Sequence, residues 1–369
     1  MKICHISDSH LGAGENYPKR AQSGLTLRQE DIINSFKEAI DLIINIKPDI
    51  CIHSGDLFDA VRPSNRIMAI AGEQLYRLAS ANNIPTVIIS GNHDAPKQLH
   101  IGAALDIFNH IDNLYVSAGA GLKTFTIKDA KIFALPHCLT TEIQKQELLK
   151  CMPDSKYKYN LLMMHGVAAG MPEFSMADLG EQEIPVEIMN QFDYTALGHY
   201  HNYSQVGKRA YYSGSTERLS QGEREHAKGF IVVGLEPFKV GFQQVHCREM
   251  VDLPSIDAKG KRGDQLAQVI KEKIEQVGSS DKIVRLKITG ATEETLRTMP
   301  VEVISSLKKE SFALNITFEK EKSKEQEVKF GRSAIGRLDA SFIKYLETVE
   351  LEGFDKERLI EEATKYLNL

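Results

Sequence analysis

The chain has 369 residues, more than one hydrophobic core usually supports, so two or three domains are expected, each large enough to bury a core. Its 42% hydrophobic and 26% charged residues are those of an ordinary globular protein and exclude a disordered or membrane-embedded chain. A formal net charge of -5 excludes a polycation that binds nucleic acid through the field of the whole molecule; any such contact must come from a local basic patch.

In chain order, the amino terminus MKICHISDSHLG reads as a strand, with one basic residue and an apolar run too short for a signal peptide or membrane span. Short apolar runs ending in polar residues predict buried strands at 2–7, 49–54, 85–90, 131–136, 160–165 and 193–198. Helical spacing separates them: Ile32, Phe36, Ala39, Ile40 and Ile43 share one face of a segment that ends before Pro48. Strands alternating with helices predict an α/β architecture. From about residue 250 the texture becomes strand (282–289), helix (293–308) and strand (313–319), a small α/β domain. A charge-dense stretch from Glu319 to Lys329, followed by Gly331 and Gly336, reads as a solvated linker. Phe342, Tyr345, Leu346 and Val349, then Leu359, Ile360, Ala363 and Leu367 beyond Gly353, give two short amphipathic helices. The five cysteines, Cys4, Cys51, Cys138, Cys151 and Cys247, show no Cys-x-x-Cys spacing and suit reduced thiols in a cytoplasmic setting.

The chemistry lies just after the strands. Asp8 and His10, Asp56 and Asp59, Asn92 and His93, His165, and His199 and His201 form five clusters that share one structural position. In open α/β sheets the carboxyl ends of strands lie along one rim, so groups far apart in sequence converge there. The alternate-residue pairs suit extended segments whose same-side groups grip or flank a metal. Gly55, Gly91, Gly166 and Gly198 adjoin them, where tight turns bring backbone close to a metal or phosphate. Mixed imidazole, carboxylate and amide donors suit Mn²⁺, Fe²⁺ or Zn²⁺ better than Ca²⁺, with Mn²⁺ the first choice and Mg²⁺ a further alternative. Two such ions roughly 3.5–4 Å apart activate a water and clamp the oxygens of an in-line displacement, the chemistry of phosphoester hydrolysis. The remaining histidines are expected to be structural: His5 and His53 in the core, His100, His110, His137, His226 and His246 on the surface or on helices.

The ordered series DSHLG, GDLFD, GNHD, His165-Gly166 and GHYH resembles the calcineurin-like metallophosphoesterase superfamily. Within it the chain is most similar to the SbcD-type DNA double-strand-break repair nucleases, a likeness carried on by YYSGSTERLSQGE, residues 211–223. The resemblance implies a two-sheet sandwich flanked by helices, a small α/β cap domain and a C-terminal helical tail. It assigns Asp8, His10 and His201 to one metal, Asn92, His165 and His199 to the other, and Asp56 to both. His93 matches the catalytic histidine that protonates the leaving oxygen, and Asp59 the acid that orients it. The implied domains are a nuclease domain (1–245), a DNA-contacting cap (250–320), a charged linker (321–335) and a helical docking tail (336–369). The implied function is a Mn²⁺-dependent DNA exonuclease and endonuclease with two metal ions. The implied partners are DNA, an SMC-like coiled-coil ATPase of the SbcC type engaged through the tail, and a second copy of the chain meeting residues 67–81 and 99–111. The alternatives are a small-molecule phosphatase or cyclic-nucleotide phosphodiesterase, since one metal site serves many substrates, and a DNA-end-binding scaffold without catalysis, against which the retained His93 speaks.

Overall fold

The computed structural model describes residues 1–119, 121–169 and 182–319. In chain order, β1 (Lys2–Ile6), β2 (Ile50–His53), β3 (Thr86–Ile89) and β4 (Leu114–Ser117) run parallel, each beside the next. A second sheet begins with β5 (Lys123–Ile127), β6 (Ala130–Ala134) and β7 (Tyr159–His165). Two-residue strands β8 (Val167–Ala168) and β9 (Glu183–Ile184) pair with each other, and β10 (Tyr194–Gly198), β11 (Ser204–Gln205) and β12 (Ala210–Tyr212) complete the second sheet. The chain then returns through β13 (Gly229–Leu235), antiparallel to β1, and β14 (Phe238–Gln244), antiparallel to β13. The two six-stranded orders are β14-β13-β1-β2-β3-β4 and β11-β12-β10-β7-β6-β5.

The unbroken apolar runs follow from burial on both faces. Ile3, Ile50, Ile52, Val87 and Ile89 of the first sheet meet Ile132, Leu161, Met163 and Ala196 of the second in one buried cluster. Their sequence neighbours Cys4, Cys51 and Ile88 turn to the other face, under Ile32, Phe36, Ile40 and Ile43. Leu162, Met164 and Leu197 likewise cover the outer face of the second sheet with Leu148, Met189 and Phe192. The covering helix, Leu27–Ile46, starts at Thr26, whose hydroxyl accepts from Gln29 N while the Gln29 side chain accepts from Thr26 N, each at 3.0 Å. It stops where Lys47 enters the left-handed region ahead of Pro48.

Residues 250–319 are richer than expected. They form a parallel sheet of β15 (Met250–Asp257), β16 (Ile283–Thr289) and β17 (Ala313–Phe318), with a helix at Gly263–Val277. Neither β15 nor that helix was anticipated. The helix expected at 293–308 is two, Glu293–Thr298 and Val301–Glu310, because Pro300 forces Met299 out of the helical region. These elements have their own core of Ile256, Leu266, Ile270, Ile274, Val284, Leu286, Ile288 and Leu307. Gln221 Nε2 ties the preceding loop to Asp252 Oδ1 at 2.8 Å, and Arg248 binds both carboxylate oxygens of Asp31 at 2.7 Å.

On the first sheet's helical side, the helix Asn65–Leu75 runs on as a π turn, Tyr76–Ala81. Residues 99–111 hold two 3₁₀ turns, Leu99–Ile101 and Ala104–Phe108; Gly102, at φ +72°, separates them. Met1–Glu319 form one compact unit; the expected linker and tail lie outside the described residues. No helix among the described residues is long and apolar enough to cross a membrane.

Candidate metal centre

The strands β1, β2 and β3 of one sheet and β7 and β10 of the other deliver the five clusters to one place. Asp8 and His10 follow β1, Asp56 and Asp59 follow β2, and Asn92 and His93 follow β3. His165 ends β7, and His199 and His201 follow β10. Backbone bonds lash the loops together: Asp8 N donates to Gly55 O at 3.0 Å, His10 N to Asp56 O at 3.0 Å, and Gly166 N to Gly198 O at 3.2 Å. Of the seven candidate ligands, Asp8, His10, Asp56 and His199 have positive φ, from +44° to +104°. Non-glycine residues hold such angles only where the surroundings impose them, and they gather at functional sites. Gly91 is required for another reason: a Cβ there would overlap Asp56 Oδ1 and lie 2.6 Å from His165 Cε1.

The donor atoms fall on either side of Asp56. Its Oδ2 lies 3.3 Å from His165 Nε2 and 3.6 Å from His10 Nε2. On the first side, Asn92 Oδ1 is 2.9 Å from His165 Nε2 and 3.2 Å from His199 Nδ1. On the second, His10 Nε2 and His201 Nε2 face each other at 3.2 Å. One donor atom from each of Asp8, His10 and His201 falls within 4.8 Å of the others, as do those of Asp8, Asp56 and His165.

The hydrogen bonds behind the rings set which nitrogen each imidazole turns to the centre. His10 Nδ1 donates to Asp59 Oδ1 at 3.1 Å and His201 Nδ1 to Glu223 Oε1 at 3.3 Å. With both protons committed there, the two Nε2 lone pairs point at each other, an arrangement that is repulsive unless a cation or proton lies between them. His165 Nδ1 donates to Ser54 O at 2.9 Å, which turns its Nε2 toward Asp56 and Asn92, two oxygens. Burial works to lower His165, but the Asp56 carboxylate outweighs it and pushes the imidazole up to about 9, so the electrostatics at this position favour positive charge. Burial likewise works to raise Asp56, and His165 outweighs it, holding the carboxyl well below its usual range. His199 drops to about 4 through burial and the nearby His165. The donor set therefore suits two divalent cations.

His93 stands beside this cluster. Its backbone N donates to Asp56 Oδ1 at 2.9 Å, and its Nδ1 donates to the Asp59 carbonyl at 3.1 Å. The Asp59 carboxylate is 3.8 Å from that nitrogen and sits nearer to His10. Asp59 thus holds His93 through its backbone and His10 through its side chain. The His93 side chain remains 43% exposed.

Four residues of the surrounding shell went unassigned in the sequence. Asp94, closing the GNHD motif, is fully buried and accepts from Gly91 N, Leu57 N and Phe58 N at 2.7, 2.9 and 3.2 Å, joining the loops after β2 and β3. Burial and the nearby Asp56 push its carboxyl up to about 7. His137, expected on the surface or a helix, lies instead in the loop after β6, its ring edge-on to His165 and its backbone N bonded to Ser90 O. Glu223 closes the stretch 211–223, but its partner Lys228 carries no motif. Each acts by adjacency in space, for which one chain offers no signal.

A family model described as Calcineurin-like phosphoesterase matches residues 1–203, which include every candidate site residue from Asp8 to His201. A protein of Methanocaldococcus jannaschii called DNA double-strand break repair protein Mre11 is 30% identical over 279 residues, 70% of this chain and 70% of that protein. Proteins of the same name from Methanococcus maripaludis and Sulfolobus acidocaldarius are 31% identical (74% of this chain, 73% of theirs) and 26% identical (79% and 75%). Among solved structures, a dimetal phosphatase from Danio rerio aligns over 63% of this chain and 92% of its own, at 9% identity and a TM-score of 0.38.

Proposed function

The chain belongs to the calcineurin-like phosphoesterase family and, within it, to the SbcD/Mre11-type nucleases, and on that premise we propose that it hydrolyses phosphodiester bonds at DNA ends, as exonuclease and endonuclease, in double-strand-break repair. The observation that carries this proposal is the placement of imidazole, carboxylate and amide donors on both sides of Asp56, with His93 exposed beside them. Asp8, His10 and His201 would hold one cation, Asn92, His165 and His199 the other, and Asp56 both. Manganese suits this donor set first, ahead of Fe²⁺, Zn²⁺ or Mg²⁺. When bound, the pair of cations supplies activation of a water and neutralisation of the phosphate oxygens.

The remaining work falls to side chains. His93 donates a hydrogen bond from Nδ1 to the Asp59 carbonyl, so Nε2, across the ring, is the atom that meets the phosphate. Charged, it delivers the Nε2 proton to the leaving oxygen; neutral, it resets by taking one up. Asp59 and Asp94 hold His10 and the metal loops rigid while this happens.

The same proposal includes a cytoplasmic setting, a cap at 250–320 that contacts DNA, and a tail at 336–369 that docks an SMC-like ATPase of the SbcC type. Self-association would use the face where Tyr76 and Ile107, 55% and 48% exposed, flank a groove of about 550 Å³ with Met68, Phe108 and Ile111. The test is hydrolysis of end-labelled linear and hairpin DNA in Mn²⁺, beside a cyclic nucleotide and a chromogenic phosphodiester, with His93→Ala as control. DNA cleavage that the variant loses is expected. Activity confined to the small substrates would return the site to a small-molecule phosphodiesterase.

A further inference from the structure

Glu223 and Lys228 are buried charges that no step above uses. Lys228 is 1% exposed, and its ammonium makes three bonds: to Glu223 Oε2 at 2.6 Å, His201 O at 2.6 Å and Ser215 Oγ at 2.8 Å. A buried ammonium is tolerated only when paired and fully bonded, as this one is. Glu223 in turn accepts from Ser220 Oγ at 3.0 Å, Leu219 N at 3.2 Å and His201 Nδ1 at 3.3 Å. The bonds close a ring: Lys228 grips the carbonyl of His201, and the carboxylate that Lys228 braces grips its imidazole. His201 needs such a brace. It lies in the loop between β10 and β11 rather than in a strand, so no ladder fixes its direction.

We propose that Glu223, braced by Lys228, is a positioning residue for His201, keeping the Nδ1 proton in place and Nε2 aimed at the cation shared with Asp8 and His10. Carboxylates that accept from a ligating histidine fix its tautomer and raise its basicity, and losing one typically weakens metal binding about 10- to 100-fold. The inference rests on the two-cation reading of the site and concerns one cation of the two. Glu223 does not approach Asn92, His165 or His199 by any hydrogen bond it makes among the described residues.

The test is titration of Mn²⁺ into the metal-free full chain, followed by calorimetry and by the spin resonance of free Mn²⁺, for wild type, Glu223→Gln, Glu223→Ala and Asp56→Asn. Wild type is expected to take up two ions. Glu223→Ala should hold one of them about 10- to 100-fold more weakly and the other unchanged. Glu223→Gln, whose amide oxygen still accepts from Nδ1, should fall between. Urea unfolding of the metal-free variants separates positioning from plain destabilisation. Two ions held by Glu223→Ala as tightly as by wild type would overturn the proposal. So would equal weakening of both ions in step with a loss of metal-free stability. A wild type that binds no more Mn²⁺ than Asp56→Asn would instead overturn the site itself and the positioning role with it.

Discussion

Gly91 shows how closely single atoms set this centre. One added methyl would enter the space of Asp56 Oδ1, on either side of which the donors fall, and of His165 Cε1, in the ring of one of those donors. Gly91→Ala is therefore expected to lower Mn²⁺-dependent hydrolysis by about 100-fold or more, since displacements near an ångström cost that much at a reacting centre. Steady-state rates, with circular dichroism to confirm folding, check it; near-normal turnover would mean the loop yields without disturbing Asp56. The candidate ligands were legible because each ends or closely follows an apolar run. Asp94, His137 and Lys228 were not, because Asp94 binds Leu57 across 37 residues, His137 meets His165 across 28 and Lys228 binds His201 across 27.

At the scale of elements, period-two burial explains why the strands could be read as continuous apolar runs. Cys51 faces the helices while Ile50 and Ile52 face the opposite sheet. The helix Leu27–Ile46 depends on Phe36, fully buried against that surface, while Asn34 on its far side is exposed. Phe36→Ala should cost about 3–5 kcal/mol in urea unfolding, and Asn34→Ala within about 0.5 kcal/mol of nothing. Similar losses for both would remove the helix from its assigned role in the core. Among the elements missed, β15 and the helix Gly263–Val277 mix polar and apolar residues; three of the eight residues of β15 are exposed, which weakens its pattern. Pro300 was visible in the sequence, and its effect on Met299 decides where one helix ends and the next begins.

At the scale of the molecule, His5 joins the two sheets. It sits in β1, with Nδ1 2.8 Å from the Tyr194 hydroxyl of β10 and Nε2 2.7 Å from Ser54 Oγ. Burial drives its pKa from 6.5 down to about 3, so the folded protein holds it neutral while the unfolded chain protonates it near its ordinary value. Its contribution to stability is full above about pH 6.5 and is lost as pH falls toward about 3, by about 1.4 kcal/mol per pH unit for one linked proton. Urea unfolding of the metal-free protein between about pH 7 and about pH 5 should show a steeper loss in wild type than in His5→Gln, which cannot charge. Parallel losses would place the acid sensitivity elsewhere.

The sequence by itself determined β1, β2, β3, β6, β7 and β10, the helix before Pro48, and the order of the seven candidate ligands along the chain, because each follows from local apolar periodicity; β4, β5 and β11 to β14 were not read from it. Only the tertiary structure decided that two sheets, rather than one, supply the rim, with β7 and β10 bringing His165, His199 and His201 to face Asp8, His10 and Asp56. It also decided which nitrogen each imidazole turns inward, because that depends on Ser54, Asp59 and Glu223, partners that the chain path places behind the rings and no local pattern announces.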